Sequence, residues 1–141
     1  MTIGAILHGR TGAVIAARKD DSVRAVVDLL AQHRIGAVPV VEDEAIVGIF
    51  SERDMVRLIS SYGPDALDRS LDEVMTQSPV TCDSRMAVIG ALSLMTQKRI
   101  RHLPVVDDGR LVGFVSIGDL VKYRIDHIEA EAAAMRDYIA S

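Results

Sequence analysis

Two serine–aspartate pairs at one spacing, Ser51-Glu52-Arg53-Asp54 and Ser116-Ile117-Gly118-Asp119, are the residues in this chain best suited to chemistry. An ionised aspartate at a cleft edge accepts two short hydrogen bonds from a vicinal diol such as a ribose 2′,3′ pair. A helix starting beside it offers backbone amides to a phosphate. The same spacing also makes a helix-start capping box, in which serine and aspartate satisfy orphaned amides. Repetition does not choose between the two readings, because a cap repeats as readily as a ligand contact, and one residue can serve as both. The densest basic cluster is Lys98, Arg99, Arg101 and His102. Lys98 and Arg99 complement the C-terminus of the preceding helix, whereas Arg101 and His102 lie beyond it and lead into a strand. The first copy has Gly36 and Ala37 in their place, yet carries Arg53 where the second has Gly118. Two sites alike in sugar provision and unequal in cationic groups are expected.

Other chemistries fail on spacing. Ser116 stands in Gly113-Phe114-Val115-Ser116-Ile117-Gly118, where a nucleophile elbow needs glycine in place of Phe114. His8, His33, His102 and His127 lack the i, i+4 spacing of a zinc helix. There is no Gly-x-Gly-x-x-Gly and no lysine-bearing phosphate loop. Cys82 is the one cysteine, so it makes no internal disulfide and is expected as core filler or an exposed bystander. A net charge of −4 repels nucleic acid and anionic membranes at long range, and an anionic ligand therefore needs a local basic cluster. No catalytic residue, metal site or nucleic-acid partner is expected.

The elements that position these residues are themselves repeated. Ile35-Gly36-Ala37-Val38-Pro39-Val40-Val41 aligns with Ile100-Arg101-His102-Leu103-Pro104-Val105-Val106, 65 positions later. The same offset carries Val47-Gly48 onto Val112-Gly113, Ser51 onto Ser116 and Asp54 onto Asp119. Upstream, Val23, Val26, Val27 and Leu30 form the i, i+3, i+4, i+7 stripe of an amphipathic helix, and Val88, Ala91, Leu92 and Met95 repeat it. The β-branched runs Val38 to Val41 and Ile46 to Phe50 flank the turn Glu42-Asp43-Glu44 and predict a hairpin; its counterpart turns on Asp108-Gly109. Each Ser-x-x-Asp then opens a second helix. Each unit reads strand, helix, strand, strand, helix.

A chain of 141 residues with 49% hydrophobic and 26% charged residues is a globular domain rather than a disordered or fibrous one. Neither half buries much core alone, so the halves are expected to pack sheet against sheet about a pseudo-twofold axis. The fold class is α/β (α+β): residues 1–62 as the first repeat, 63–72 as connector around Gly63-Pro64, 73–124 as the second repeat, and 125–141 as a C-terminal helix extension. Val121, Ile125, Ile128, Ala132, Met135 and Ile139 are spaced 4, 3, 4, 3, 4, a heptad seam that fits a long helix lying on its own domain or, the favoured reading because it outlasts the repeat, pairing with a second copy, a homodimer. No apolar run approaches the roughly 20 residues of a membrane span. With no positive charge before Arg10, the N-terminus lacks the basic lead of a secretory signal, and the cytoplasm is the expected address.

The doubled Gly-h-h-Ser-x-x-Asp motif, Gly48 to Asp54 and Gly113 to Asp119, with helix and hairpin upstream in register, resembles a tandem pair of CBS domains. The resemblance spans about Ile6 to Arg124. It implies adenosyl ligands such as AMP, ADP, ATP, NAD(H) or S-adenosylmethionine in the clefts between repeats, AMP foremost. It further implies that Asp54 and Asp119 take ribose hydroxyls and that Ser51 and Ser116 hold ribose or phosphate. Ile15 and Val80 would pack on adenine, whose edge is read by main chain near Gly36, Ala37, Val38 and Pro39, or near His102, Leu103 and Pro104. Thr76 would lie near the sugar-phosphate, and Arg53, Arg101 and His102 would meet phosphate. The counterpart of Thr76 by offset is Thr11, in the dissimilar setting Gly9-Arg10-Thr11-Gly12. The implied role is regulatory and not enzymatic, exerted on a separate partner; the alternative is a structural dimerisation module with empty clefts.

Overall fold

The structure, a computed structural model, describes residues 1–141. Helix α2 (Val23–His33) starts where Ser22 Oγ accepts the Ala25 N–H at 3.1 Å, and it stops at Arg34, whose φ of 54° is left-handed. Strands β1 (Ala37–Glu42) and β2 (Ala45–Ser51) follow, joined by Asp43-Glu44 with φ of 51° and 68°. Two positive φ angles make a turn whose twist matches the flanking strands. Helix α3 (Glu52–Tyr62) begins directly at the end of β2. The second repeat reproduces each step: α5 (Val88–Lys98) stops at left-handed Arg99, and β4 (His102–Asp107) turns at Asp108-Gly109 into β5 (Arg110–Ser116). The correspondence reaches the bulge, between Val40 and Val41 in one hairpin and between Val105 and Val106 in the other.

The leading strand expected in each repeat is reduced to one parallel bridge, Ala17 to Val40 and Cys82 to Val105. The reason is proline. The Ala17 N–H donates to the Pro39 carbonyl at 3.0 Å and the Val41 N–H to the Ala17 carbonyl at 2.9 Å. Extending that ladder back to Ile15 needs an N–H from Pro39, which has none. Pro104 ends the second ladder in the same way, beside Cys82.

Two separate cores result, and each takes in a segment from outside its own repeat. Helix α1 (Ile3–His8) packs Ile3 and Ile6 among Val88, Met95, Leu103, Val105 and Leu120 of the second repeat. Backbone bonds secure it, Ile3 N–H to Met86 and Gly4 N–H to Ser84. The connector turns through a 3-10 helix (Gly63–Asp68) into α4 (Leu71–Val74), and Leu71 fills the first core beside Val38, Val40 and Phe50. Strand β3 (Thr76–Gln77) then pairs with β2 through Gly48 and Ile49. Gly48 and Gly113 are the crossing points. A Cβ on Gly48 would meet the Met75 side chain and the Thr76 carbonyl, and one on Gly113 would meet Leu7.

The two hairpins pack together through β2, β1 and β5, and the Leu111 N–H donates to the Glu44 carbonyl across the contact. Helix α6 (Ile117–Ala140) runs unbroken out of the second repeat. No helix is long and apolar enough to cross a membrane.

Candidate functional site

Both Ser-x-x-Asp pairs form complete capping boxes at the joints between β2 and α3 and between β5 and α6. Asp54 Oδ2 accepts the Ser51 N–H at 2.9 Å and its hydroxyl at 3.1 Å. Asp119 Oδ2 accepts the Ser116 N–H at 2.8 Å. In each carboxylate the cap engages Oδ2 and leaves Oδ1 to other partners. The carbonyls that precede the first hairpin strands also bind these joints: Gly36 accepts the Glu52 N–H and Arg101 the Ile117 N–H. Strand entry and helix start are thereby fixed beside one another.

Each joint borders a cavity between the repeats. The larger, about 600 Å³, places Ser116 and Asp119 opposite Thr11 to Ile15 and Arg34 to Ala37, with His102 and Phe114 in its wall. The smaller, about 440 Å³, places Ser51, Arg53 and Asp54 opposite Thr76, Val80, Arg101 and His102, again beside Gly36 and Ala37. Both lie within the range of small-molecule sites. Twelve of the residues singled out from sequence are thus gathered, the carboxylate of one repeat facing the leading segment of the other. Val38, Pro39, Leu103 and Pro104 line neither cavity, because their buried strand positions place Val38 in the first core and Leu103 in the second.

Among the lining residues that sequence reasoning missed are Arg34, Arg57, Phe114 and Arg10. Arg34 is the offset partner of Arg99, and Arg57 lies one turn beyond Arg53, so both carried a signal. Phe114 and Arg10 carried none. Lys98 and Arg99, read as complements of a helix end, also line the smaller cavity. That cavity holds Arg53, Arg57, Lys98, Arg99 and Arg101 against Glu52 and Asp54, and none of the five is in an ion pair. Arg53 Nη1 instead donates to the Arg99 carbonyl at 3.3 Å, tying the repeats together. Thr76 Oγ1 lies 3.4 Å from Asp54 Oδ1.

The larger cavity is electrostatically different. Arg10 Nη2 lies 2.8 Å from Asp119 Oδ2, and Nη1 donates to the Phe114 carbonyl at 2.8 Å. Burial pushes the Asp119 carboxyl upward, but the Ser116 amide and the Arg10 guanidinium outweigh it and hold the group below the ordinary carboxylate value. Burial lowers His102 against the pull of the Asp119 and Glu52 carboxylates, and its ring stacks on Phe114 at 5.6 Å. Burial thus biases the imidazole towards its neutral form, and the stacked ring adds a flat surface to the wall. Cys82 is buried in the second core, which pushes its thiol up to about 11 and makes it filler rather than nucleophile.

A depressed Asp119 contributes stability that is fully present above the ordinary carboxylate value and is lost as the pH falls through its lower folded one. Arg10→Gln should therefore reduce stability at pH 7, with the gap to the parent chain shrinking as the pH falls below about 4. Urea melts at pH 7, 5 and 3.5 measure it. A gap that widens towards acid would contradict the assigned pairing.

Two repeats, two inter-repeat cavities and a capping carboxylate on each define a paired-repeat module with a duplicated site. The chain belongs to the CBS domain family, which matches residues 10–61 and 71–126. The mitochondrial CBS domain-containing protein CBSX3 of Arabidopsis thaliana is 36% identical over 125 residues, 85% of this chain. This chain spans 61% of that plant protein's length. The crystal structure of the CBS-domain containing protein ATU1752 from Agrobacterium tumefaciens superposes with a TM-score of 0.82 at 35% identity, covering 87% of this chain and 92% of that one. The CBS domain pair of protein MJ0100, crystallised with 5′-methylthioadenosine and S-adenosylmethionine, shares the fold: TM-score 0.76 at 24% identity, over 87% of this chain and 98% of that one.

Proposed function

We propose that this chain is a regulatory module that binds an adenine nucleotide between its repeats and modulates a separate partner. The observation that carries the reading is the carboxylate geometry. Asp54 and Asp119 each commit Oδ2 to a cap and border a cavity with Oδ1 outside the cap, the arrangement a ribose diol needs. Ile15 and Val80 line the cavities as apolar surface for a base, Gly36, Ala37 and His102 line them as backbone that can read its edge, and Arg53 and Arg101 line the smaller one as cations for a phosphate. AMP, ADP, ATP and NAD(H) satisfy that pattern. S-adenosylmethionine is the second reading, favoured by the fold shared with MJ0100. Binding of this kind breaks no bond; a ligand that prefers one arrangement of the repeats shifts its population.

A ligand at 100 times its dissociation constant should raise the unfolding free energy by about 2.7 kcal/mol, a rise of several degrees in Tm for a chain of this size. Thermal melts with AMP, ATP, NADH and S-adenosylmethionine test this. No shift with any of them would leave the capping boxes as purely structural features.

The proposal extends to a homodimer through α6. Val121, Ile125, Ile128, Met135 and Ile139 are all exposed along one seam. In a parallel pair, Arg124 meets Glu129 of the second copy and Glu131 meets its Arg136, whereas an antiparallel pair sets Glu129 and Glu131 against themselves. Sedimentation should therefore give twice the 15.3 kDa chain mass, falling to one chain in Ile128→Glu. A parent chain that sediments as a monomer at 100 µM would refute the pairing.

A further inference from the structure

The two cavities present the same capping carboxylate with different neighbours. In the smaller, Asp54 Oδ1 has only the Thr76 hydroxyl at 3.4 Å, a long and weak bond. In the larger, the Arg10 guanidinium lies 2.8 Å from Asp119 Oδ2, the oxygen the cap also uses, and is anchored by a second bond to the Phe114 carbonyl. A diol reaching Asp119 Oδ1 meets a carboxylate whose charge the protein already pairs through Oδ2, so its hydrogen bonds there gain less than at Asp54. We propose that Arg10 is a built-in occupant of the larger cavity, so that the sites fill in sequence, the smaller first and with a polyphosphate ligand. This rests on the nucleotide reading above and adds which site fills, with what, and why.

The choice of ligand follows from charge. Five cationic side chains against two carboxylates line the smaller cavity of a chain whose net charge is −4. Like charges gathered without ion-pair partners gain from a polyanion placed among them, and each added phosphate gains more. The larger cavity has Arg34 and the engaged Arg10 against Asp119, so its affinity depends little on phosphate number. Repeat symmetry does not provide the block. The offset partner of Arg10 is Met75, whose side chain packs in the first core, so only the larger cavity has one.

Titration calorimetry with ATP and with adenosine, at low and at moderate salt, tests this on the full chain. The parent chain should bind one ATP per chain strongly, with affinity that falls as salt rises, and a second at least tenfold more weakly. Asp54→Asn should remove the strong site. Arg10→Gln and Arg10→Ala should each leave the strong site unchanged and tighten the second about five- to tenfold, the strength of a half-exposed pair with one added hydrogen bond. Two equal sites indifferent to Arg10, or a second site that weakens in both variants, would overturn the inference while leaving nucleotide binding intact. Absence of binding by every nucleotide would instead overturn the functional reading on which it stands.

Discussion

Asp54→Ala should abolish strong nucleotide binding while leaving the chain folded. The alanine removes a carboxylate that would accept two charge-assisted hydrogen bonds from a ribose diol, each worth roughly 1.5–3 kcal/mol, so affinity should fall about 100-fold or more. The same change deletes half of a capping box, since Ser51 loses the oxygen that holds its amide at 2.9 Å. That loss is expected to be about 1 kcal/mol of stability. The two losses are separable because they are measured differently, one by calorimetry and one by denaturation. A purely structural Asp54 would show the stability loss with nucleotide binding unaltered, and that outcome would remove the reason for calling the cavity a site. Asp54→Asn sharpens the comparison: it keeps an acceptor for the cap and halves what a diol can use.

Ile3→Ala should cost the most stability of any single truncation near the N-terminus, about 2–5 kcal/mol. Ile3 is 0% exposed, and the core it joins includes Val88 and Leu120, 85 and 117 positions away in the chain. For a domain whose total stability is on the order of 5–15 kcal/mol, this is a substantial share. The location of the damage is as informative as its size. Amide exchange should accelerate in β4 and β5, which share a core with Ile3, and much less in β1 and β2, whose core is the other one. Ile59→Ala, at a residue 41% exposed on α3, is the control and should change stability by about 0.5 kcal/mol or less. If Ile3→Ala behaved like that control, α1 would not be part of the second core.

Much of this protein was legible before any coordinates. The repeat was, because duplication preserves spacing, and spacing is what a linear text records best. The hairpins and their turns were legible because Asp43-Glu44 and Asp108-Gly109 are local, and so were the stripes of α2 and α5. The residues Ser51, Asp54, Ser116 and Asp119 were identified as helix caps, because a capping box is made within four residues. The leading strands were overestimated: a β-branched run reads as a strand, and the missing donor at Pro39 matters only once its partner is known to be Ala17. Arg10 was passed over because nothing in its neighbourhood along the chain marks it. Its partner lies 109 positions away at Asp119.

The linear order of residues determined by itself that there are two copies of one unit, where their helices begin, and which carboxylates end each hairpin, because each of these depends on contacts a few residues apart. Tertiary structure alone decided that α1 completes the second core and α4 the first, that each cavity joins the carboxylate of one repeat to the leading segment of the other, and that Arg10 closes on Asp119. These are pairings between distant segments, selected by which surfaces bury together, and their energies have no period in sequence to reveal them.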